Sequence, residues 1–382
     1  MRLTVLKHFS PDPHRIPATM TEDQREHPVI QLIRRRRDEG STPGERTDGR
    51  RVALVIEGGG MRGVVSAGMT AAIEQLGLRD SFDEVHGASA GAFNAAFFIA
   101  GQASYLTALY PHGFGDPTFV NFRDTVRGKR PIFDMDYVIG EVWRHQRPLR
   151  TDEILSSAIK LHCTATDVES AEIVDLTDLC DDQEIRCAMR ASGRLPWLAG
   201  PPVPFRGRRW LDATLAEAIP VHAARATATD MLILQTRPHG VAHTPLSSVV
   251  ARLTDGYLRK INPALVELRL SRSERYDQLS AELATQAADP AATPAVCVIR
   301  PPADALLVGQ MENRVSALTT AGSHGLRAAW MALAGEDPEL LATPHAYSAG
   351  ARSTGCADPR PDAPAHPRPD PDSVSLASRQ AL

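Results

Sequence analysis

At 382 residues the chain is long enough for one large domain with appendages or two modest ones. Its apolar and charged fractions, 43% and 23%, are ordinary for a soluble globular protein, and a net charge of -4 excludes the basic excess of a nucleic-acid binder. Cys163, Cys180, Cys187, Cys297 and Cys356 are odd in number and form no CxxC pair, which points to reduced thiols rather than a disulfide framework or a cysteine metal site.

Residues 1–50 are polar. Met1 to Ile16 lacks the apolar core of a secretion signal, and no run approaches the roughly 18 apolar residues that span a bilayer, Ala90 to Ala100 coming nearest. The expectation is a cytoplasmic protein that at most touches a membrane surface. Arg34 to Arg37 read either as a solvated helix face or as a patch for anionic headgroups, where each charge contributes on the order of 1 kcal/mol.

Val52 to Ile56, five apolar residues in a row, predict a strand buried on both faces. The turn Gly58-Gly59-Gly60-Met61-Arg62-Gly63 follows, and then Val65, Met69, Ala72, Ile73 and Leu76 recur at helical spacing up to Gly77. A second unit repeats the plan, with a short strand over Phe82 to His86, a turn over Gly87 to Gly91 and an all-apolar helix over Ala92 to Ala100. Later strands are predicted over Lys160 to Thr166, Met231 to Gln235 and Ala295 to Ile299, and helices over Ala264 to Leu283 and Val315 to Leu333. The alternation predicts an α/β fold, a layered and mostly parallel central sheet flanked by helices. From Pro344 the chain is rich in Pro, Asp, Arg and Ser without periodicity, which predicts a disordered tail.

Gly87-Ala88-Ser89-Ala90-Gly91 places a serine on a sharp strand-to-helix turn. Such an elbow presents the hydroxyl to a bound ester, and small neighbours (Gly87, Ala88, Ala90, Gly91) are needed because larger side chains would strike the backbone. Ser89 is therefore the candidate nucleophile. The turn Gly58 to Gly63 has two readings. It spells a G-x-G-x-x-G dinucleotide fingerprint, with Asp80 and Asp83 near the spacing expected of the ribose acid but at the start of the second strand rather than its end. Alternatively its backbone amides form an oxyanion hole, with Gly59, Gly60 and the amide of Ala90 as donors. Two glycine turns in successive units favour the second reading. No histidine sits in a setting that marks it as a base: His86 reads as a packed or capping residue, and His222 and His239 carry no motif.

Taken together, Gly58 to Gly63, the Ser89 elbow and the stretch Ala188 to Pro220 resemble the patatin-like phospholipase family. Ala191-Ser192-Gly193-Arg194-Leu195-Pro196 is similar to the family's Ala-Ser segment, Arg206 to Asp212 to the lead-in of its aspartate motif, and Ile219-Pro220 to the proline that follows. The resemblance implies a Ser89–Asp212 dyad with the aspartate as base. The family usually continues Asp-Gly-Gly or Asp-Gly-Ala, and this chain departs from that at Ala213-Thr214. Asp167 also falls in a family-like segment and is expected to close a structural turn. Arg62 is expected to brace the glycine loop.

The implied organisation is a polar segment over 1–50, a patatin-like domain over 51–240, a packed C-terminal extension over 241–343 and the tail over 344–382. The implied activity is hydrolysis of lipid carboxylic esters through an acyl-enzyme, with lipid or another acyl ester as substrate, peripheral contact with a membrane left open, and neither metal nor other cofactor. A patatin-like protein that binds lipid or regulates without hydrolysis, a transacylase and a nucleotide-binding module stand as alternatives.

Overall fold

Strand β1 (Val52–Ile56) is buried at all five positions and lies at the middle of an eight-stranded sheet. The computed structural model describes residues 27–114, 131, 133–241, 248–289 and 291–335. All of these belong to the unit Met1–Ala342. The second unit, Thr343–Leu382, and with it the predicted tail, lies outside the described residues.

Strands β2 (Glu84–Ala88) and β7 (Asp230–Leu234) flank β1 in parallel, and β8 (Ala295–Ile299) extends the sheet in parallel beyond β7. On the other side β3 (Lys160–Asp167) runs parallel to β2. The remaining strands are antiparallel: β4 (Ile173–Leu176) pairs with β3, and a hairpin of β5 (Val203–Phe205) and β6 (Arg208–Asp212) joins β3 through β6. Arg206 and Gly207, at φ 49° and 74°, close that hairpin with the paired positive angles of a tight two-residue turn. The fold is α/β with a mostly parallel central sheet flanked by helices.

The two ends of β3 take different neighbours on one edge. Glu84 to Ala88 pair with Lys160 to Thr164, and Asp212, Leu211 and Trp210 then pair with Ala165, Thr166 and Asp167. Because β4 occupies the opposite edge, β2 and β6 lie end to end beside β3 and approach each other from opposite directions.

Alternation along β1 sends Val52, Leu54 and Ile56 into one core and Ala53 and Val55 into another. The first core holds α2 (Gly63–Gln75), α3 (Ala90–Ile99) and α9 (Val315–Ala334). All ten residues of α3 are buried, and Phe93 and Phe97 meet Trp143 edge-on at 5.2 and 5.1 Å. Burying such rings stabilises by about 1.5–3 kcal/mol each. Helices α2 and α9 cross at glycine: a Cβ on Gly68 would lie 2.0 Å from Gly322 O, and one on Gly325 1.9 Å from Val65 O. The second core lies under α6 (Val221–Thr227) and α8 (Ala264–Ala287). Among the described residues no helix is long and apolar enough to cross a membrane.

The arginine run does not form one solvated face. It lies on α1 (Pro28–Asp38), where Arg36 is buried and donates to Asp48, Asp83, Ser81 O and Arg50 O, and Arg34 donates to Leu333 O. Only Arg35 and Arg37 are exposed. The helix turns alternate arginines inward because Val29, Ile30, Leu32 and Ile33 must face the core.

Candidate active site

Ser89 follows the last residue of β2 and precedes the first of α3, at φ 53° and ψ −121°. A positive φ at a residue with a side chain costs on the order of 1–3 kcal/mol and persists only where neighbours enforce it. Here the enforcement is steric. A Cβ on Gly91 would lie 2.2 Å from Ile56 O, and one on Gly87 2.4 Å from Ala92 Cα. Ser89 N donates to Ser192 Oγ at 2.8 Å, and Ser89 O accepts from Ala92 N at 2.9 Å.

The Ser89 hydroxyl donates to Asp212 Oδ2 at 2.7 Å. Asp212 ends β6, and its backbone N donates to Arg194 O at 2.9 Å while its O accepts from Thr166 Oγ1 at 2.9 Å. The segment Ser192 to Arg194 thus holds both strand ends, one through a hydroxyl and one through a carbonyl. Burial pushes the Asp212 carboxyl above the ordinary carboxylate range, against hydrogen bonds from Thr214 and Ser89 and the charge of Arg272. A carboxylate deprived of water is a stronger base than an exposed one.

The glycine loop brackets the elbow. A Cβ on Gly58 would lie 2.5 Å from Ala88 O, and one on Gly63 2.7 Å from the Ala90 Cβ. Gly60, at φ 57°, makes the turn between them. Of the six loop amides, Gly58 donates to Ala218 O, Met61 to Gln310 O, Arg62 to Gly59 O and Gly63 to Gly60 O. The amides of Gly59 and Gly60 have no acceptor among the described residues. The loop therefore offers two donors rather than six, beside a third at Ala90, the N-terminal residue of α3.

Arg62 lies under the loop. Its Nε donates to Thr236 Oγ1 at 2.8 Å, and its guanidinium sits 3.6 Å from Glu57, whose other oxygen accepts from Thr236 N at 2.6 Å. The dinucleotide reading finds its acid at the wrong end of the sheet. Asp83 precedes β2, opposite to the glycine turn after β1, and its oxygens are held by Arg36, Arg46 and Val52 N.

Residues 54–225 match the family model for patatin-like phospholipase, which spans β1 to α6 and contains the glycine loop, Ser89 and Asp212. This segment is a patatin-like phospholipase domain. The uncharacterized protein YjjU of Escherichia coli (strain K12) is 30% identical over 199 residues, 51% of this chain and 54% of that one. The chain thus spans about half the length of that curated relative. VipD from Legionella pneumophila superposes with a TM-score of 0.38 at 14% identity, covering 75% of this chain and 67% of the other. A chain from the complex of SpcU with ExoU of Pseudomonas aeruginosa does so with a TM-score of 0.24 at 15% identity, covering 75% and 71%. Overlap at that level adds nothing to the assignment.

In the patatin-like domain the departure at Ala213-Thr214 has a local explanation. Neither residue adopts a positive φ, so the turn Ala213–Leu215 does not require glycine. Thr214 instead supplies two donors to Asp212 Oδ1, its N at 2.8 Å and its Oγ1 at 2.6 Å. Asp167 closes the turn after β3, accepting from Glu169 N, Ser170 N and Arg208. His86 is buried within the sheet, and His222 and His239 are exposed.

The hydroxyl of Ser192 and the charge of Arg272, on α8, were not identified as site residues from sequence. Ser192 lies in the family-like Ala-Ser segment, which is the signal for it. Arg272 has none, because it reaches Asp212 across more than fifty residues of chain. Arg272 also lines a cavity of about 320 Å³ with Glu217, His222 and Tyr276, to which neither Ser89 nor Asp212 contributes.

Proposed function

We propose that the protein is a lipid acyl hydrolase that cleaves carboxylic esters through Ser89 and Asp212. The observation that carries this reading is the 2.7 Å hydrogen bond from Ser89 Oγ to a fully buried carboxylate inside a patatin-like phospholipase domain.

Asp212 accepts the hydroxyl proton as Ser89 Oγ attacks the ester carbonyl. The amides of Gly59, Gly60 and Ala90 stabilise the oxygen that becomes negative, each donor contributing about 2.7–4 kcal/mol in comparable sites. Asp212 returns the proton to the departing alcohol, which leaves an acyl-serine. Water then attacks the acyl-serine as Asp212 takes its proton, and Asp212 returns that proton to Ser89 Oγ as the acyl–oxygen bond breaks and the fatty acid is released. The two hydrogen bonds from Thr214 occupy Oδ1 and keep Oδ2 directed at the serine. The elevated basicity of the buried carboxylate offsets the weakness of an ordinary aspartate as a base for a hydroxyl.

The test is hydrolysis of phospholipid and monoester substrates by wild type beside Ser89→Ala and Asp212→Asn, with fluorophosphonate labelling of each. Both variants should lose at least about a thousandfold in kcat, and only wild type should label rapidly. Wild-type rates in both would refute the reading. Labelling without turnover of any lipid ester would confine it to a reactive serine, and acyl transfer to an added alcohol in preference to water would make the protein a transacylase.

A further inference from the structure

Three ligating side chains converge on the sheet face beneath α6. Glu84 and His86 are two residues apart on β2 and so share a face, and His162 is the register partner of His86 on β3. One ligand atom from each lies within 4.8 Å of the others, and all three residues are buried. The two imidazoles stack at 4.0 Å between centroids with 20° between their planes.

The hydrogen bonding of this cluster is incomplete in a specific way. Both ring nitrogens of His86 and Nε2 of His162 have no hydrogen-bond partner. His86 Nε2 lies 3.2 Å from Glu84 Oε1 but outside hydrogen-bonding alignment. An unpartnered buried nitrogen costs on the order of 1–3 kcal/mol. A neutral imidazole carries one N–H and one lone pair, so His86 and His162 each have one lone-pair nitrogen to offer a shared ligand.

The surrounding groups are arranged as they are around a metal. His162 Nδ1 is 2.6 Å from Asp175 Oδ2, and a carboxylate there accepts the Nδ1–H hydrogen bond and selects the tautomer with its lone pair on Nε2. Glu84 is held by Arg51 at 2.6 Å on one oxygen and by Thr227 at 2.5 Å on the other, which fixes it as a carboxylate. Two imidazole nitrogens and a carboxylate oxygen form a donor set suited to zinc and its neighbours among divalent transition metals, and unsuited to magnesium or calcium.

We propose that Glu84, His86 and His162 bind one divalent transition-metal ion of the zinc class, with Asp175 orienting His162. The ion ties β2 to β3 three residues before the nucleophile elbow and takes no part in acyl transfer. Nothing in the spacing of the three residues announces it, because His162 meets His86 only through the strand register.

The full chain, produced without an affinity tag in zinc-supplemented medium, should carry about one zinc per molecule by elemental analysis. After chelation, Co2+ added to the wild-type chain should give visible d–d absorption that saturates at one equivalent. His86→Ala and His162→Ala should abolish the bands, and Asp175→Asn should weaken binding about 10- to 100-fold. Zinc should also raise the Tm of wild type and leave that of His86→Ala unchanged. A wild-type chain that gives no cobalt spectrum and no zinc-dependent Tm shift would overturn the proposal, and so would bands that persist in both histidine variants. The wild-type spectrum decides the matter even if a variant fails to fold.

Discussion

Thr214 donates twice to the same carboxylate oxygen of Asp212, from its backbone amide at 2.8 Å and from its hydroxyl at 2.6 Å. The residue at the family's second position after the aspartate, usually glycine or alanine, thus orients the proposed base. A hydrogen bond to a charged group contributes about 1.5–3 kcal/mol. Thr214→Val, which keeps shape and loses the hydroxyl, should lower kcat about tenfold or more, whereas Thr214→Ser should stay near wild type. Steady-state kinetics on a chromogenic ester separates the two, and equal rates would show that the hydroxyl does not orient the base.

Asp212 also makes a prediction about pH. Its folded pKa is raised by burial, so the folded chain holds this proton more tightly than the unfolded chain does. The associated stability is present below the ordinary aspartate pKa of about 3.8 and is lost as pH rises through the folded value. At neutral pH the wild type therefore carries the cost of a buried charge that Asp212→Asn lacks. The variant should melt several degrees higher near pH 7, and the gap should close as pH falls toward 4. In parallel, the acidic limb of wild-type kcat should lie above the usual carboxylate range. A Tm difference independent of pH would contradict the assignment.

Gly60 tests the oxyanion donors. Its φ is 57°, and a Cβ there would lie 2.6 Å from Gln310 O, so Gly60→Ala must displace the loop. Loss of one aligned donor typically costs about 10²–10³ in kcat. Fluorophosphonate labelling of Ser89 should slow by a comparable factor while far-ultraviolet circular dichroism stays unchanged. Unaltered labelling would remove Gly60 from the site.

The α2–α9 crossing tests packing independently of chemistry. Gly325→Ala would put a methyl 1.9 Å from Val65 O, backbone that a rotamer change cannot move. Overpacking of this kind costs about 1–3 kcal/mol or more. The variant should lose several degrees of Tm, and a Tm within one degree of wild type would mean that the two helices separate easily.

Much of this was legible in the sequence where a local pattern carries the information. Val52 to Ile56 reads as a strand buried on both faces, and the two glycine turns sit at close backbone approaches, at Gly58, Gly87 and Gly91. Strand β2 begins two residues later than predicted, because Phe82 belongs to the core while Asp83 turns back to anchor Arg36 and Arg46. Strands β4 to β6 were not read as strands. They are short, and β6 opens with two exposed arginines, so no alternation announces them. The Ser89–Asp212 contact spans 123 residues, and only the likeness to a family suggested it. Arg36 shows the opposite failure: four consecutive arginines look like surface, yet the helix period turns one into a buried hub.

The end-to-end meeting of β2 and β6 beside β3 makes strand register the alignment device of the site. Ser89 arrives from one direction and Asp212 from the other, so their separation is set by where two chains stop against a shared neighbour. A slip of β6 by one residue would carry Asp212 about 3.4 Å along the sheet and turn its carboxylate to the opposite face. The two-residue turn at Arg206-Gly207 is thus a gauge block for the proposed reaction, and lengthening it by one residue should abolish fluorophosphonate labelling and any ester hydrolysis without unfolding the chain.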